Sequence, residues 1–214
     1  MLESTSEKKR ASGSLTGAAG VHFVTGELSR LRYVSLPTVK NTQGVDVVVS
    51  SPDFSRTVYV QVKANMNKLD FWIVGKPEMR ENLFYVFVNL LSNQQYKRPE
   101  YYIVPSKEVN ARFQDFKNSK TYENLTDEEK EKVVGLIMTH KGVWRINEEL
   151  HITVGAIRRI AKERGLKISY DRNKGENFPF SFYIRKNEEN RSKDNWKILV
   201  DALHPEKDNG AAAS

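Results

Sequence analysis

Cysteine is absent from all 214 residues, which removes a disulfide framework, a thiolate nucleophile and any Cys-type zinc site, and fits a reducing compartment. Long apolar runs are missing too. No stretch approaches the length of about 18 residues that spans a bilayer, and the N-terminus lacks a signal-peptide core. The expectation is a cytoplasmic protein with no membrane segment. Zinc spacing is also lacking around His140 and His151, which read as structural or surface residues. Acid is in short supply: 34 Lys and Arg face 27 Asp and Glu, a formal net charge of +7, and that excess points to a polyanionic partner.

At roughly 150 residues per domain, the length suits one large domain or one domain with a small companion. The opening "MLESTSEKKRASGS" is polar and almost free of large apolar residues, so residues 1–13 read as a flexible basic arm. Val21, Val24, Leu28 and Leu31 then recur at helical spacing and give a first helix one apolar face. "YVSLP" predicts a short strand and "TVKNTQG" a turn. "NLFYVFVNL" and "YYIVP" are β-branched and aromatic runs of strand length. "SKEVNARFQDF" predicts a helix capped by Ser106. Helix, several strands, then helix describe an α/β layer.

"GVDVVVSSPDFSRTVYVQVKAN", residues 44–65, places polar side chains inside two strand-like runs. Strand residues alternate faces, so Val58, Val60 and Val62 share one side and Tyr59, Gln61 and Lys63 the other, while Asp46 stands apart from Val45, Val47 and Val49. A hairpin centred near Asp53 and Phe54 makes paired residue numbers sum to about 107 and sets Asp46 opposite Gln61, although a connection of this length leaves a one-residue slip open. Asp46, Gln61 and Lys63 therefore converge. Metal-assisted phosphodiester hydrolysis needs such a set. A hard ion such as Mg2+, or Mn2+ in its place, takes oxygen ligands, which Asp46, the Gln61 amide and the Val62 backbone carbonyl supply. The ion polarises a phosphate and acidifies a bound water, and the compact ammonium of Lys63 orients that water or meets developing charge.

The Asp46, Gln61, Lys63 pattern resembles the PD-(D/E)XK nuclease motif in its D…QxK form. That superfamily includes restriction endonucleases, Holliday-junction resolvases and repair nucleases. The resemblance spans the helix from about Leu15, the strands to Val104 and the C-terminal "NWKILVDAL". It implies a restriction-endonuclease-like core with a mixed central β-sheet flanked by helices, and a metal site on Asp46, Gln61 and Val62. Many members carry an acid in the first helix, about twelve positions before the aromatic that ends it, here Tyr33. Val21 occupies that position. Glu27, later on the same helix, is the remaining first-helix candidate.

A second composition begins near Leu125. Thr126 and Glu129 stand in capping-box register before a helix carrying Val133, Val134, Ile137 and Met138. "VWRI" reads as a strand. "NEELHITVGAIRRIAKERGL" follows as a short helix, a turn and a second helix starting after Thr153, with Leu150, Ile152, Ile157 and Ile160 suiting a helix-turn-helix core. With "LKISY", "DRNKGE" and "FPFSFYIRK" as a hairpin, the segment looks like a winged helix-turn-helix. Thr153, Gly155, Arg158, Arg159 and Lys162 would face a major groove, where Arg158 or Arg159 can pair with guanine, and Arg172 and Lys174 in the wing would hold the backbone.

The expected fold is α/β: an arm (1–13), a nuclease core (14–120), an inserted winged helix-turn-helix domain (121–185), a C-terminal helix closing the core (186–205) and a disordered tail (206–214). The expected function is a metal-dependent, type II restriction-like endonuclease acting on double-stranded DNA as a homodimer, since cutting both strands of a palindrome needs two sites related by a two-fold axis. Modification-directed, homing and junction-resolving nucleases are alternatives, as is a catalytically silent DNA-binding protein on the same scaffold.

Overall fold

The computed structural model describes residues 4–39, 44–94, 97–168, 180–184 and 189–204. It divides the chain into two compact units, one of residues 1–110 with 181–214 and one of residues 111–180. No helix among the described residues is long and apolar enough to cross a membrane.

The first unit opens with α1 (Ser4–Arg30). The helix includes residues 4–13, where the sequence suggested a mobile arm, because Glu7, Lys8, Lys9, Arg10 and Ala11 are all good helix formers. Arg32 ends it with a left-handed φ of 68°, and Tyr33 N–H closes back onto the Leu28 carbonyl at 3.1 Å, the 6→1 bond of a Schellman stop. Val24 and Leu28 are wholly buried. The helix lies close on its sheet: a Cβ at Gly20 would stand 2.6 Å from Ala64 Cβ, so only glycine permits this approach.

Four strands follow: β1 (Val34–Pro37), β2 (Val47–Ser50), β3 (Thr57–Asn65) and β4 (Phe71–Ile73). After them come β5 (Leu83–Asn89) and β6 (Glu100–Pro105). The main sheet is mixed, in the order β1-β2-β3-β5-β6, with β3 and β5 parallel and the other neighbours antiparallel. Every residue of β5 is buried, as a strand covered on both faces must be. Val58, Val60, Val62, Val86 and Ile103 form the core on the α1 side. The opposite face is covered by Trp72, whose ring lies 5.2 Å from Phe87 and 5.4 Å from Tyr102.

The boundary to the second unit falls within α2 (Ser106–Lys117). Beyond it are a 3-10 turn at Tyr122–Asn124, α3 (Asp127–Met138), α4 (Val143–Leu150) and α5 (Val154–Glu163). Thr126 and Glu129 form a reciprocal capping box at the start of α3. "VWRI" is helical, not a strand. Val143, Ile146 and Asn147 are all buried, an i, i+3, i+4 pattern that the four letters alone were too few to display. His151 ends α4 at a left-handed φ of 52°. Thr153 caps α5 by accepting the Ala156 N–H at 3.3 Å. The three helices share a core of Val133, Ile137, Ile146, Ile157 and Ile160.

Returning to the first unit, β7 (Ser181–Tyr183) is followed by α6 (Glu189–Ser192) and α7 (Lys197–Leu203). β7 corrects a sequence expectation, since residues 181–183 pair antiparallel with β4 and are not part of a wing. The reason is aromatic: Phe182 stacks on Phe87 with ring centroids 4.8 Å apart, so this strand covers a sheet face. α7 buries Leu199 and Leu203, with Trp196 at its start, against the α1 side. Most of the expected wing, including Arg172 and Lys174, lies outside the described residues, as does the tail.

Candidate functional site

The β2–β3 hairpin positions the first group of residues. Its register runs Val47↔Val60, Val48↔Tyr59, Val49↔Val58 and Ser50↔Thr57, the pairing expected from residue numbers alone. What fixes it is the turn. Asp53 Oδ1 accepts from Ser51 Oγ at 2.6 Å, Ser55 Oγ at 2.8 Å and Ser55 N–H at 3.2 Å, and Phe54 takes a left-handed φ of 58°. A local network of this kind specifies a connection that length alone leaves loose.

Asp46 sits just past the end of that ladder. Its N–H donates to the Val60 carbonyl at 2.8 Å, one residue short of Gln61, the partner that an unbroken register would give. Its side chain makes up the difference, since Oδ2 accepts the Val62 N–H at 2.7 Å. A carboxylate thus stands where the next ladder acceptor would be. In a strand the N–H and C=O of one residue point to the same edge, so the Val62 carbonyl opens on the Asp46 side. Burial raises the Asp46 carboxyl above its ordinary value, opposed by the Val62 bond and by the charge of Lys63. Burial lowers Lys63, opposed by Asp46. Each is the other's counter-charge, and both are pushed towards neutrality by desolvation.

Gln61 and Lys63 lie in register with Tyr85 and Phe87 of β5. Register partners in a sheet share a face, so these four residues form one surface, while Val62 and Ala64 face α1. The site is therefore built from β2, β3 and β5. Asp46, Gln61 and the Val62 carbonyl offer oxygen alone, which fits a hard divalent ion. Among the described residues no group of three or more His, Cys, Asp or Glu stands close enough to hold a metal.

Glu27 is not part of this arrangement. Its carboxylate takes Arg30 and Arg98, each at 2.7 Å, and the Arg30 hydrogen bond leads the causes holding it below the usual carboxylate range. It lines a cavity with Ala19, His22, Phe23 and Tyr101. Tyr101 shares a row with Val88 and Ala64, the α1 face, opposite to Lys63. Val21 packs against the core. Among the described residues the first helix therefore contributes no acid to the Lys63 side.

The second group lies on and before α5. Gly155 is exposed with open space around it, Lys162 is exposed, and Arg158 and the cap Thr153 are partly so. Arg159 is tied down. Its guanidinium meets Glu123 and Glu163, each at 3.1 Å, and lies 3.8 Å from the Tyr122 ring centroid. Sequence reasoning missed this clasp because Tyr122 and Glu123 lie in a turn more than thirty residues earlier.

No family model matches the chain. No curated protein matches it either. Among solved structures, a bacterial homing endonuclease, I-Ssp6803I, is similar over 47% of this chain and 73% of that one, at 15% identity and a TM-score of 0.33.

Proposed function

We propose that the protein is a metal-dependent endonuclease acting on double-stranded DNA, type II restriction-like, with Asp46, Gln61, the Val62 carbonyl and Lys63 at its cleavage site. The observation that carries this reading is the end of the β2–β3 ladder, where the Asp46 carboxylate replaces a backbone acceptor on Val62 beside a half-buried Lys63. An aspartate that only satisfied the ladder would need no amine beside it, and burying a lysine costs free energy. Mg2+, or Mn2+ in its place, would supply Lewis acidity and a more acidic water. Asp46 would bind such an ion through the carboxylate oxygen that Val62 does not occupy, and Gln61 and the Val62 carbonyl would add neutral oxygens. Lys63 orients the attacking water or meets the charge that grows on the phosphate.

The α4–α5 pair is the DNA-reading element in this proposal, with Gly155, Arg158 and Lys162 towards the groove and Thr153 shaping the start of the helix. A homodimer would cut both strands. The catalytically silent alternative draws on one observation, the packing of Val21 into the core where related nucleases carry an acid.

The test uses unmethylated, adenine-methylated and cytosine-methylated plasmid with Mg2+ or Mn2+. Discrete fragments that vanish in Lys63→Ala and Asp46→Ala support the nuclease, and the substrate cut separates restriction from modification-directed cleavage. Intact DNA that still shifts in a gel with wild type and both variants supports the silent DNA-binding protein and rejects catalysis.

A further inference from the structure

A carboxylate from outside the motif approaches the same end of the hairpin. Residues 74–80, "VGKPEMR", connect β4 to the approach of β5, and both the middle and the end of this segment are pinned. The Tyr85 hydroxyl accepts the Glu78 N–H at 2.9 Å and donates to the Glu78 carbonyl at 3.3 Å. Ser106, almost fully buried, accepts the Arg80 N–H at 3.1 Å and donates to the Arg80 carbonyl at 2.6 Å. Two clasps on either side of Met79 fix where the Glu78 side chain leaves the backbone.

That side chain runs against Gly44. A Cβ there would stand 2.8 Å from Glu78 Cγ and 3.7 Å from its carboxyl carbon, and Gly44 has a left-handed φ of +70°. Glycine is thus required twice at this position, once for its backbone and once for the neighbour. Gly44 precedes Asp46 by two residues, a Cα separation of at most about 7 Å. Tyr85, which holds Glu78, is the register partner of Gln61. The Tyr85 hydroxyl is raised to about 12 chiefly by burial, with its bond to the Glu78 backbone opposing and the Glu78 charge adding a smaller rise. Arg80 is 3.8 Å from the Glu78 carboxylate, an ion pair too long to be a hydrogen bond.

We propose that Glu78, held by Tyr85 against Gly44, is the second carboxylate of the Asp46 site and helps to bind the divalent ion. This rests on the metal-dependent reading above and supplies what that reading lacks. Asp46 is otherwise its only anionic ligand, and hard divalent ions bind more tightly as carboxylates are added. The acid that related nucleases place on the first helix is here carried by a loop on the other side of the sheet.

The test is Mn2+ binding to the full chain, followed by electron paramagnetic resonance of the free ion and by calorimetry, with no DNA present. Glu78→Gln is expected to weaken Mn2+ about 10-fold or more, Glu78→Asp to recover part of the loss, and Glu27→Gln to bind as wild type. Thermal melting of each variant shows that the fold is retained. Glu78→Gln binding as tightly as wild type while Asp46→Asn does not bind would overturn the Glu78 assignment and leave the nuclease reading standing. No Mn2+ binding by the wild type would overturn both.

Discussion

Lys63, proposed for cleavage, and Arg159, expected from the sequence to meet the same polyanion, are two cations that opposite physics holds. Lys63 stands in the interior row of a strand, half-buried, with desolvation lowering its pKa and Asp46 as counter-charge. Its position is set by the backbone of three strands. Arg159 lies on a helix surface, half exposed, and is oriented by Glu123, Glu163 and the Tyr122 ring. Groups meant for chemistry gain from being few, dry and fixed. Groups meant for holding a phosphate backbone gain from being wet, redundant and exchangeable, because their contribution is counterion release. On the proposed function, the first unit would concentrate function on single residues and the second would spread it.

The sharpest test of that contrast is Lys63→Ala, which should lower the cleavage rate by about a thousand-fold or more with DNA affinity nearly unchanged in a gel shift. Equal losses of cleavage and affinity would mean that Lys63 is one more phosphate contact. Next in size is Ile157→Ala. Its side chain is wholly buried in the helical core, and its loss should cost about 2–5 kcal/mol of that unit's stability. Since the Lys63 strand belongs to a separate core, this variant should lose DNA affinity while its Mn2+ binding stays at the wild-type level.

A smaller effect separates two basic residues on one helix. Lys162→Ala should reduce the slope of log affinity against log salt by about 0.9, the signature of one lost phosphate contact. Arg159→Ala should change that slope less, because its charge is already shared between two glutamates. The reverse ranking would show that DNA pulls Arg159 out of its clasp, and that the clasp is a gate.

What the chain disclosed in advance follows from range. The alternation around Val58, Val60 and Val62 and the hairpin register were legible because both depend on neighbours within about twenty residues. So were the Thr126–Glu129 box and the Thr153 cap, each local to one turn. Contacts between distant segments were not. Nothing in "FPFSFYIRK" tells that Phe182 stacks on Phe87, so residues 181–183 read as a wing instead of the partner of β4. Glu27 looked eligible because helix periodicity does not say which sheet face a helix covers. Glu78 was passed over for the converse reason, that a lone Glu in a loop has no pattern until Gly44 and Tyr85 are seen beside it.

The smallest effect concerns the turn that sets the register. Asp53 has its carboxyl lowered to about 2, first by Ser51 and then by Ser55. A carboxyl lowered in the folded state adds stability that is present in full above its unfolded value and is lost as pH falls through its folded value. Asp53→Ala should therefore lower Tm slightly at neutral pH, and the gap to wild type should narrow as pH drops from about 4 towards about 2. The comparison of regions enters through activity. If the turn positions Asp46 and Lys63, the variant should lose several-fold in cleavage at neutral pH, more than its small change in Tm would suggest, while DNA affinity stays put. A loss of Tm with full cleavage would show that the strand pairing holds the site without help from its turn, and that the three strands, not the Asp53 network, confer its rigidity.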